Sequence, residues 1–522
     1  IFTIWVAFWR PVKNLNFGDN AKNQVFKGIE KLTNAVSSTL GASGKCVILE
    51  DQQGNPVITK DGVTVADSIV LLDPVENLGA TLIKEAARKT VKEAGDGTTT
   101  ATVLAHAILK EAYKELNNTN TREIKEGILN GVEKVITYVT DKSVPVDDRI
   151  EQIATISTNN DPDLGNLIAD AFNAVGKTGV VIMEPSSAGQ TEVEVVEGVE
   201  YNKGLLNPNF ITDKDKGICE LQNPLVMIVD SKIESIRQIQ TVLEHVIKQN
   251  KPLLIIGDID PPVLSALVMN KIKGNIKVNV LDAPAFGLRR KEILEDLALL
   301  TNSQIIDENL GDDLNTIQVD YLGTCSKVTT EQDQSIIQIE GVNEEIEEII
   351  KKIKKDLTKK LKPHQVIGLE HRLARLSAKV AIVKVGANSD IELKEKQDRI
   401  EDAICATKAA IKEGIVSGGG IALLNASKTL DQNNIGEKIL YNAIKSPYYT
   451  ILDNAGIEYV EPEKEGDGLN VVTGNMVQMI KAGIIDPLLV TKSALTNAAS
   501  VATTILSTDC VINNIRINES NR

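Results

Sequence analysis

The chain has 522 residues, of which 42% are hydrophobic and 25% are charged, and this balance is typical of a globular protein with two to four domains. Aromatic residues make up only 3%, so the cores must consist mainly of Val, Ile, Leu and Ala. The formal net charge of −15 argues against a general nucleic-acid binder or a binder of anionic membranes.

The five cysteines are scattered and never occur in CxxC spacing. This pattern indicates free thiols in a reducing compartment, and we expect a cytoplasmic location, with an organelle matrix or a virus-infected host cytoplasm as alternatives. His364 and His371 have no cysteine cluster nearby, so no zinc site is expected. Residues 1–10 are apolar but too short to span a bilayer, and we expect them to lie outside the fold.

The first 140 residues are predicted to be mostly helical. Apolar residues recur at helical spacing over residues 19–40, and further helices are predicted over about 78–93 and over 98–116. Between them, "CVILE" is predicted to be a strand. The stretch "NPVITKDGVTVA" predicts a hairpin that turns at Asp61-Gly62, a pair that tolerates positive φ.

The middle of the chain is rich in β-forming runs, among them "GVVIMEP", "TEVEVVEG", "LVMIVD", "PLLIIGD" and "IKVNVLDAP". Residues 344–362 predict a helix with acids first and lysines last, which matches the helix dipole. Its stripe of Ile346, Ile350, Ile353 and Leu357 favours a face packed on its own domain over a partner-binding coiled coil. After residue 381 an Ala-rich helix closed by Gly414 follows. The sequence therefore predicts a helical module split by a β-rich insertion, with hinge segments on each side.

The stretch "AGDGTTTAT" (residues 94–102) interrupts two predicted helices. Its glycines allow close backbone approach, and the threonines occupy the first turn of a helix, where free N–H groups and the dipole favour phosphate. Asp96 would repel a phosphate unless a cation such as Mg²⁺ lay between them. The alternative is that Asp96 only caps the second helix. No Gly-Lys-Ser/Thr follows, so the stretch is not a Walker A loop.

Other short segments could complete such a pocket. "TLGASGK" (39–45) ends a helix in a glycine turn, and "SGGG" (417–420) begins another, although glycine turns are often no more than turns. Asp61 and Asp402 add carboxylates that could orient a water molecule for nucleotide hydrolysis. From its spacing alone, Asp402 could equally face solvent.

Together these segments resemble the group I chaperonins of the GroEL type, the 60-kDa chaperonin family, from about Pro11 to Asn514. The resemblance is carried by "TLGASGK", "ITKDGVTVA", "AGDGTTTATVLA", "KPLLII", "APAFGLRRKEILED", "VAIVKVGA", "RIEDAICATKAA", "GIVSGGGIAL" and "GIIDPLLVTKSAL". So many ordered matches make coincidence negligible.

The resemblance implies a multidomain α+β chaperonin fold. A mostly helical equatorial ATP-binding domain would comprise residues 11–140 and 413–522, and a small hinge-like intermediate domain residues 141–195 and 381–412. An apical domain, a β-sandwich with helices, would comprise residues 196–380. The implied activity is ATP hydrolysis coupled to the enclosure and folding of non-native proteins. The implied partners are these clients, a GroES-type co-chaperonin lid and six further copies in seven-membered rings.

The resemblance also implies ATP, Mg²⁺ and K⁺ as cofactors. Asp96 would hold Mg²⁺, while Thr39, Lys60 and Thr99 match the potassium-site positions. Asp61 and Asp402 would position the attacking water, and Asp402 would reach the nucleotide only when the intermediate domain swings down over it. The residues implied to bind the nucleotide are Thr39, Leu40, Gly41, Lys60, Asp96, Gly97, Thr98, Thr99, Thr100, Gly419, Asn470, Val471, Val472 and Asp486.

The client-binding face would be apolar, because exposed hydrophobic surface is recognised with low specificity by burial of area. The matching positions are Leu205, Asn209, Phe210, Gln240, Leu243, Leu264, Val268, Met269 and Asn270. From hydrophobicity alone, the apolar members would be core residues, and only the resemblance places them at the surface.

Several positions depart from the family pattern. Asn209 and Gln240 replace an aromatic residue and a leucine, which makes the client-binding face more polar. Ala42 replaces a proline of the nucleotide loop, and Tyr449 replaces an arginine that helps join two rings. These departures motivate a second hypothesis, a chaperonin-like holdase or scaffold with weak or no ATPase cycle. A third, drawn from "GDGTTT" alone, is a small-molecule kinase.

Overall fold

The computed structural model describes residues 13–514 except 51–53, 55, 117–119, 147–148, 159–160, 177–179, 187–188, 215, 285–287, 309–310, 315–316, 318, 340–343, 358–368, 370–371, 374, 378 and 388. The described residues form two compact units. The described residues of unit 1 fall within Ile1–Ala169, Pro185–Gln190 and Val385–Arg522. Those of unit 2 fall within Asp170–Glu184 and Thr191–Lys384. The expectations for residues 1–10, His364 and His371 fall outside the described residues.

Helices and strands occur throughout the described part of the chain. The α-helices are α1 (Gly18–Ser37), α2 (Gly62–Ser68), α3 (Pro74–Ala94), α4 (Thr98–Glu115), α5 (Thr121–Asp141), α6 (Ile150–Ser157), α7 (Pro162–Val175), α8 (Gln240–Gln249), α9 (Pro261–Ile272), α10 (Leu288–Thr301), α11 (Glu344–Leu357), α12 (Asp390–Glu413), α13 (Ile421–Ser427), α14 (Ile435–Ala443), α15 (Ser446–Ala455) and α16 (Leu488–Leu506).

The strands are β1 (Lys13–Phe17), β2 (Val47–Glu50), β3 (Pro56–Thr59), β4 (Val180–Pro185), β5 (Glu192–Tyr201), β6 (Cys219–Gln222), β7 (Leu225–Val229), β8 (Leu253–Ile256), β9 (Val278–Leu281), β10 (Ile305–Ile306), β11 (Gly323–Thr324), β12 (Lys327–Thr330), β13 (Ser335–Ile339), β14 (Lys379–Val385), β15 (Ile415–Ser417), β16 (Asp467–Asn470), β17 (Asn475–Gln478), β18 (Ile485–Pro487) and β19 (Cys510–Asn514).

Unit 1 is a helical assembly around α16, which is apolar on most of its faces and packs against α3, α4 and α5. Helix α1 crosses α3 where glycines replace side chains. A Cβ built on Gly28 would lie 1.9 Å from the carbonyl oxygen of Glu76, and one on Gly79 would lie 2.2 Å from that of Val25. The two backbones can approach this closely only because neither glycine has a side chain. The predicted helical character of the first 140 residues is confirmed.

The predicted hairpin at Asp61-Gly62 is wrong. Strand β3 pairs antiparallel with β2, which precedes it, and Asp61 instead starts helix α2. Its carboxylate oxygens accept hydrogen bonds from the backbone N–H groups of Val63 (3.0 Å) and Thr64 (2.7 Å). Aspartate is favoured both in tight turns and at helix N-caps, so the sequence signal was ambiguous.

The segments on either side of the β-rich insertion pack into unit 1. Val146 and Ile153 share a small core with Ala406 and Ala410 of α12 and with Ile485 of β18. Residues 141–169 and 385–412 of the expected intermediate domain therefore belong to the same compact unit as the helical module. The division into three domains stays a prediction.

Unit 2 contains two sheets. Strands β10, β7, β8 and β9 are parallel neighbours in that order, and β11 pairs antiparallel with β7. The second sheet has the order β4-β14-β5-β13-β12-β6. Helix α11 buries Ile346 and Ile353 in the core of this unit, and Ile350 packs against it. The β-rich middle and the packing of the Ile stripe on its own domain are both confirmed.

None of the helices in the described part of the chain is long and apolar enough to cross a bilayer. All five cysteines are free thiols, as the sequence predicted.

An aromatic contact joins α1 to α4. The ring of Phe26 stacks on His106, with 5.4 Å between centroids, and meets Tyr113 edge-on. The Nε2 atom of His106 is buried without a hydrogen-bond partner among the described residues. Burial, and to a smaller extent the Lys110 ammonium, lower the pKa of His106 to about 4, and Glu30 opposes both.

We expect acid to destabilise unit 1 through His106. The imidazole of His106 binds a proton less tightly in the folded state than in the unfolded chain, where the histidine pKa is about 6.5. Protonation therefore favours the unfolded chain, and the free energy of unfolding falls as the pH falls from about 6.5 towards 4. Urea unfolding at pH 7.5 and pH 5 should show the native chain losing about 2 kcal/mol more than the His106→Gln variant. An equal loss in both proteins would show that His106 does not cause the acid sensitivity.

Candidate functional site

Unit 1 contains a cavity of about 800 Å³, within the size range of small-ligand sites. Every nucleotide and catalytic position expected from the sequence lines it: Thr39, Leu40, Gly41, Lys60, Asp61, Asp96, Gly97, Thr98, Thr99, Thr100, Asp402, Gly419, Asn470, Val471, Val472 and Asp486. These residues come from segments spread over most of the chain. The fold therefore brings all of them to one place.

The break between α3 and α4 forms one wall of the cavity. Gly95 (φ +74°) ends α3 in the left-handed region, and Gly97 (φ +94°) lies directly before the first residue of α4. No side chain caps α4. The carboxylate of Asp96 accepts a hydrogen bond from the N–H of Gly97. The alternative that Asp96 serves as the helix cap is therefore wrong, and the start of α4 is available to an anion.

Three carboxylates expected from the sequence, those of Asp61, Asp96 and Asp402, lie close enough at this wall to interact electrostatically. Burial raises the pKa of Asp96, the N–H of Gly97 opposes this, and the Asp61 carboxylate raises it further. Burial also raises the pKa of Asp402 well above its usual value, and Asp96 and then Asp61 add to the effect. The alternative that Asp402 faces solvent is wrong, because α12 turns it into the cavity.

Two further aspartates line the cavity, of which the sequence reasoning missed Asp398. Burial and the nearby Asp61 raise the pKa of Asp398 to about 6. Burial and Asp96 raise that of Asp486, which was expected at the ribose, to about 7. Asp398 lies one helical turn before Asp402, so the i, i+4 spacing on α12 was a usable signal. Arg399 and the α6 residues Glu151, Gln152 and Thr155 gave no comparable signal.

The turn after α1 forms another part of the cavity wall, next to the start of α4. The hydroxyl of Thr39 donates to the carbonyl oxygen of Val36 (2.8 Å) and lies 3.3 Å from that of Thr99. The ammonium of Lys60 donates to the carbonyl oxygen of Gly41 (3.3 Å), and burial lowers the pKa of Lys60. The hydroxyls of the two threonines are close enough to contact one ligand.

Helix α12 approaches the break between α3 and α4 closely. A Cβ built on Gly95 would lie 2.4 Å from the Cβ of Cys405 and 2.8 Å from its sulfur. Cys405 lies three residues after Asp402 on α12, so this contact sets how near Asp402 comes to Asp96. Only glycine allows this approach.

The residues present fit a metal–nucleotide complex better than a metal alone. Among the residues that the structure describes, no group of three or more His, Cys, Asp or Glu side chains is arranged to hold a metal ion. Yet Asp96 and Asp402 are half-buried near other carboxylates, and a cation would relieve the repulsion between their charges. Mg²⁺ typically binds one or two protein carboxylates and completes its octahedron with phosphate oxygens and water.

The expected client-binding positions lie in unit 2 and divide into three groups. Asn209, Gln240 and Met269 are exposed, while Leu205, Leu243, Leu264 and Asn270 are partly buried. Phe210 (0% exposed) and Val268 (7%) belong to the core of unit 2. For these two, the surface placement implied by the resemblance is wrong in this structure.

The exposed apolar side chains on α8 and α9 include two that the sequence reasoning missed, Ile247 and Ile272. Both lie on the helices that carry Leu243, Leu264 and Met269. Nothing in the apolar spacing of these helices distinguished them from core residues.

Comparison with solved structures identifies the fold. The chain is similar to two crystal structures of the chaperonin gp146 from the bacteriophage EL 2 (Pseudomonas aeruginosa), both determined in the presence of ATP-BeFx. The TM-scores are 0.74 and 0.66, each at 23% sequence identity, and each match covers 96% of this chain and 99% of the other. The fold is therefore that of a chaperonin.

The family follows from a separate comparison. The model of the TCP-1/cpn60 chaperonin family matches residues 32–516, so the chain belongs to that family. The resemblance drawn from the sequence motifs is thus confirmed.

Proposed function

We propose that this protein is an ATP-dependent chaperonin that couples ATP hydrolysis to the enclosure and folding of non-native proteins. The observation that carries the proposal is the convergence of Asp61, Asp96 and Asp402 on the uncapped start of α4, within one cavity of unit 1. A phosphate-binding helix start beside several carboxylates suits a nucleotide that arrives with a cation. The relatives crystallised with ATP-BeFx support nucleotide binding in this fold.

The residues would share the work as follows. The N–H groups and hydroxyls of Thr98, Thr99 and Thr100 bind phosphate oxygens, and Asp96 holds Mg²⁺. The bound Mg²⁺ supplies charge neutralisation at the phosphates. Asp402, which α12 holds beside the break between α3 and α4, orients the attacking water together with Asp61, whose carboxylate is already fixed by the N–H groups at the start of α2.

The remaining cavity residues would recognise the rest of the nucleotide. Gly419, Asn470, Val471, Val472 and Asp486 form the part of the lining assigned to the base and ribose. The adjacent hydroxyls of Thr39 and Thr99 suit a monovalent cation. Lys60 would contribute by holding the turn that carries Thr39, through its hydrogen bond to the carbonyl oxygen of Gly41. Gly41 and Gly97 allow the nucleotide to approach the backbone because they have no side chain, and Leu40 lines the cavity beside Gly41.

Client binding is proposed for the helices α8 and α9 of unit 2. Met269 (52% exposed), Ile247 and Ile272 present apolar surface there, which suits low-specificity capture of unfolded chains and a GroES-type lid. Asn209 and Gln240 give this face a polar border.

Assembly into seven-membered rings is proposed from the surface of unit 1. Two separate two-stranded sheets, β1–β19 and β2–β3, carry exposed apolar residues, among them Ile48, Ile58, Phe17 and Ile512. An isolated pair of strands is marginally stable in water, so a neighbouring copy would stabilise both. The free thiols suit a cytoplasmic location.

The test is electron microscopy of the purified chain with and without ATP, combined with phosphate release from the same sample. Seven-fold rings that hydrolyse ATP in a Mg²⁺-dependent manner would support the proposal, and side views would count the rings. Monomers without turnover would contradict it.

The holdase hypothesis remains the second candidate because Phe210 and Val268 are buried and the client-binding face is partly polar. A holdase would suppress aggregation of an unfolded client equally well with and without ATP. Release and refolding that occur only with hydrolysable ATP would exclude it.

A further inference from the structure

The turn that follows α1 carries Thr39, Leu40 and Gly41, and we call residues 38–44 the nucleotide loop. At the start of this loop the N–H of Leu40 donates to the carbonyl oxygen of Ser37 (3.2 Å). At its end the N–H of Gly44 donates to the carbonyl oxygen of Gly41 (3.0 Å). These short-range bonds close two tight turns. Neither bond uses the carbonyl oxygen of Leu40, which therefore needs a hydrogen-bond donor from another part of the chain.

The partner comes from α15, more than four hundred residues along the chain. The side-chain amide of Asn454 donates one hydrogen bond to the carbonyl oxygen of Ser37 and another to that of Leu40, both at 2.9 Å. An asparagine NH₂ group has two hydrogens, and here both are used on one loop. The two bonds bridge the last turn of α1 and the residue before Gly41.

A second contact from the same face of α15 fixes the loop from the side. A Cβ built on Gly41 (φ +85°) would lie 3.0 Å from the Cγ1 atom of Ile451, so Ile451 packs directly over this glycine. Ile451 and Asn454 are three residues apart and therefore lie on one side of the helix. Ile451 also lines the cavity, together with Pro447 and Tyr448 from the start of α15.

We propose that Asn454 is a positioning residue for nucleotide binding, which holds the nucleotide loop in its binding geometry through the carbonyl oxygens of Ser37 and Leu40. The inference rests on the proposed function of the cavity. Asn454 itself is not among the residues that line the cavity, so it acts through the loop. Its role is greater here because Ala42 occupies the position at which the family pattern has a proline.

The expected effect is on affinity. Removing both donors leaves the carbonyl of Leu40 without its partner and lets the loop sample other conformations, of which only a fraction bind nucleotide. Asp61, Asp96 and Asp402 keep their places, so the rate of the bound complex should hardly change. We expect KM for MgATP to rise about tenfold, with kcat within about twofold of the native value.

The decisive variant is Asn454→Asp in the full chain. Aspartate has the same shape as asparagine but cannot donate a hydrogen bond, so it tests the two bonds themselves. The matched control is Asn442→Asp, at an exposed position of the helix α14. KM, kcat and amide hydrogen exchange of residues 38–44 would be measured for both, and only Asn454→Asp should raise KM and speed exchange.

A rescue distinguishes positioning from a general folding defect. Ala42→Pro restricts the backbone of the loop directly, so added to Asn454→Ala it should recover part of the lost affinity. If the native chain hydrolyses ATP but Asn454→Asp matches Asn442→Asp, this inference is overturned while the proposed function stands. A fall in kcat at unchanged KM would also overturn it. A native chain that binds no MgATP would overturn both.

Discussion

Replacing Asp402 with alanine should slow ATP hydrolysis by at least about 100-fold while leaving the affinity for MgATP within a few-fold of the native value. Asp402 lies in the cavity on α12, and its carboxylate interacts with those of Asp96 and Asp61. In our proposal it contacts the water and not the nucleotide. Removing this carboxylate therefore removes a contact to the attacking water, which lowers kcat, and leaves the contacts to the nucleotide, which set the affinity.

The measurement is steady-state phosphate release together with direct titration of a fluorescent ATP analogue. Glu401→Ala provides the control, because Glu401 is the exposed neighbour on the same helix and loses the same charge. Hydrolysis at the native rate in Asp402→Ala would remove Asp402 from the mechanism. A large loss of nucleotide affinity would instead assign it to binding.

Replacing Gly95 with alanine should have a comparable effect on turnover, without touching any carboxylate. The added methyl group would lie 2.4 Å from the Cβ of Cys405, so α12 must move outwards, and Asp402 moves with it. A displacement of about 1 Å in a reacting group can cost about 100-fold in rate. We expect kcat to fall by roughly that factor, and stability to fall by about 1–2 kcal/mol.

Part of this effect comes from backbone strain and needs its own control. Gly176 also ends a helix, α7, at a positive φ of 72°, but a Cβ built there meets nothing within 4 Å. Gly176→Ala therefore carries the strain without the collision and should leave kcat unchanged. Conversely, the effect of Gly95→Ala on kcat should shrink in a Cys405→Gly background, where the collision is gone. An undiminished effect there would show that α12 is not what the methyl group displaces.

The elements that could be predicted from the sequence are those whose signal is local. Helix α4 was predicted from Thr98 because two glycines precede a regular apolar pattern, and the buried strands β7 and β8 were predicted from continuous apolar runs. The Asp61-Gly62 turn was misassigned because the same two residues suit a hairpin and a helix start. What separated them was the pairing of β3 with β2, which local sequence does not encode.

The site shows the same division. The residues of "AGDGTTTAT" predict a phosphate site by their own chemistry, and this stays a prediction, although the structure places them on a cavity wall. Asp402 could not be distinguished from a solvent-facing residue by sequence, because its position depends on the packing of α12 against Gly95. Phe210 and Val268 show the opposite error. Hydrophobicity alone predicted burial, which the structure shows, while the family pattern placed them at the surface. Asn454 gave no signal, because its partners are backbone carbonyls far away in sequence.

The pairing of β1 with β19 has a consequence for the order in which the nascent chain can fold. Lys13 lies opposite Asn514, and α16, which fills the middle of unit 1, begins only at Leu488. The ribosome therefore delivers α1, α3, α4 and α5 long before the segments that cover their apolar faces. Most of unit 2 is one continuous stretch and can close its core at least several seconds earlier, at a synthesis rate of about 5–20 residues per second. During that interval the half-made protein exposes the kind of surface that chaperones bind.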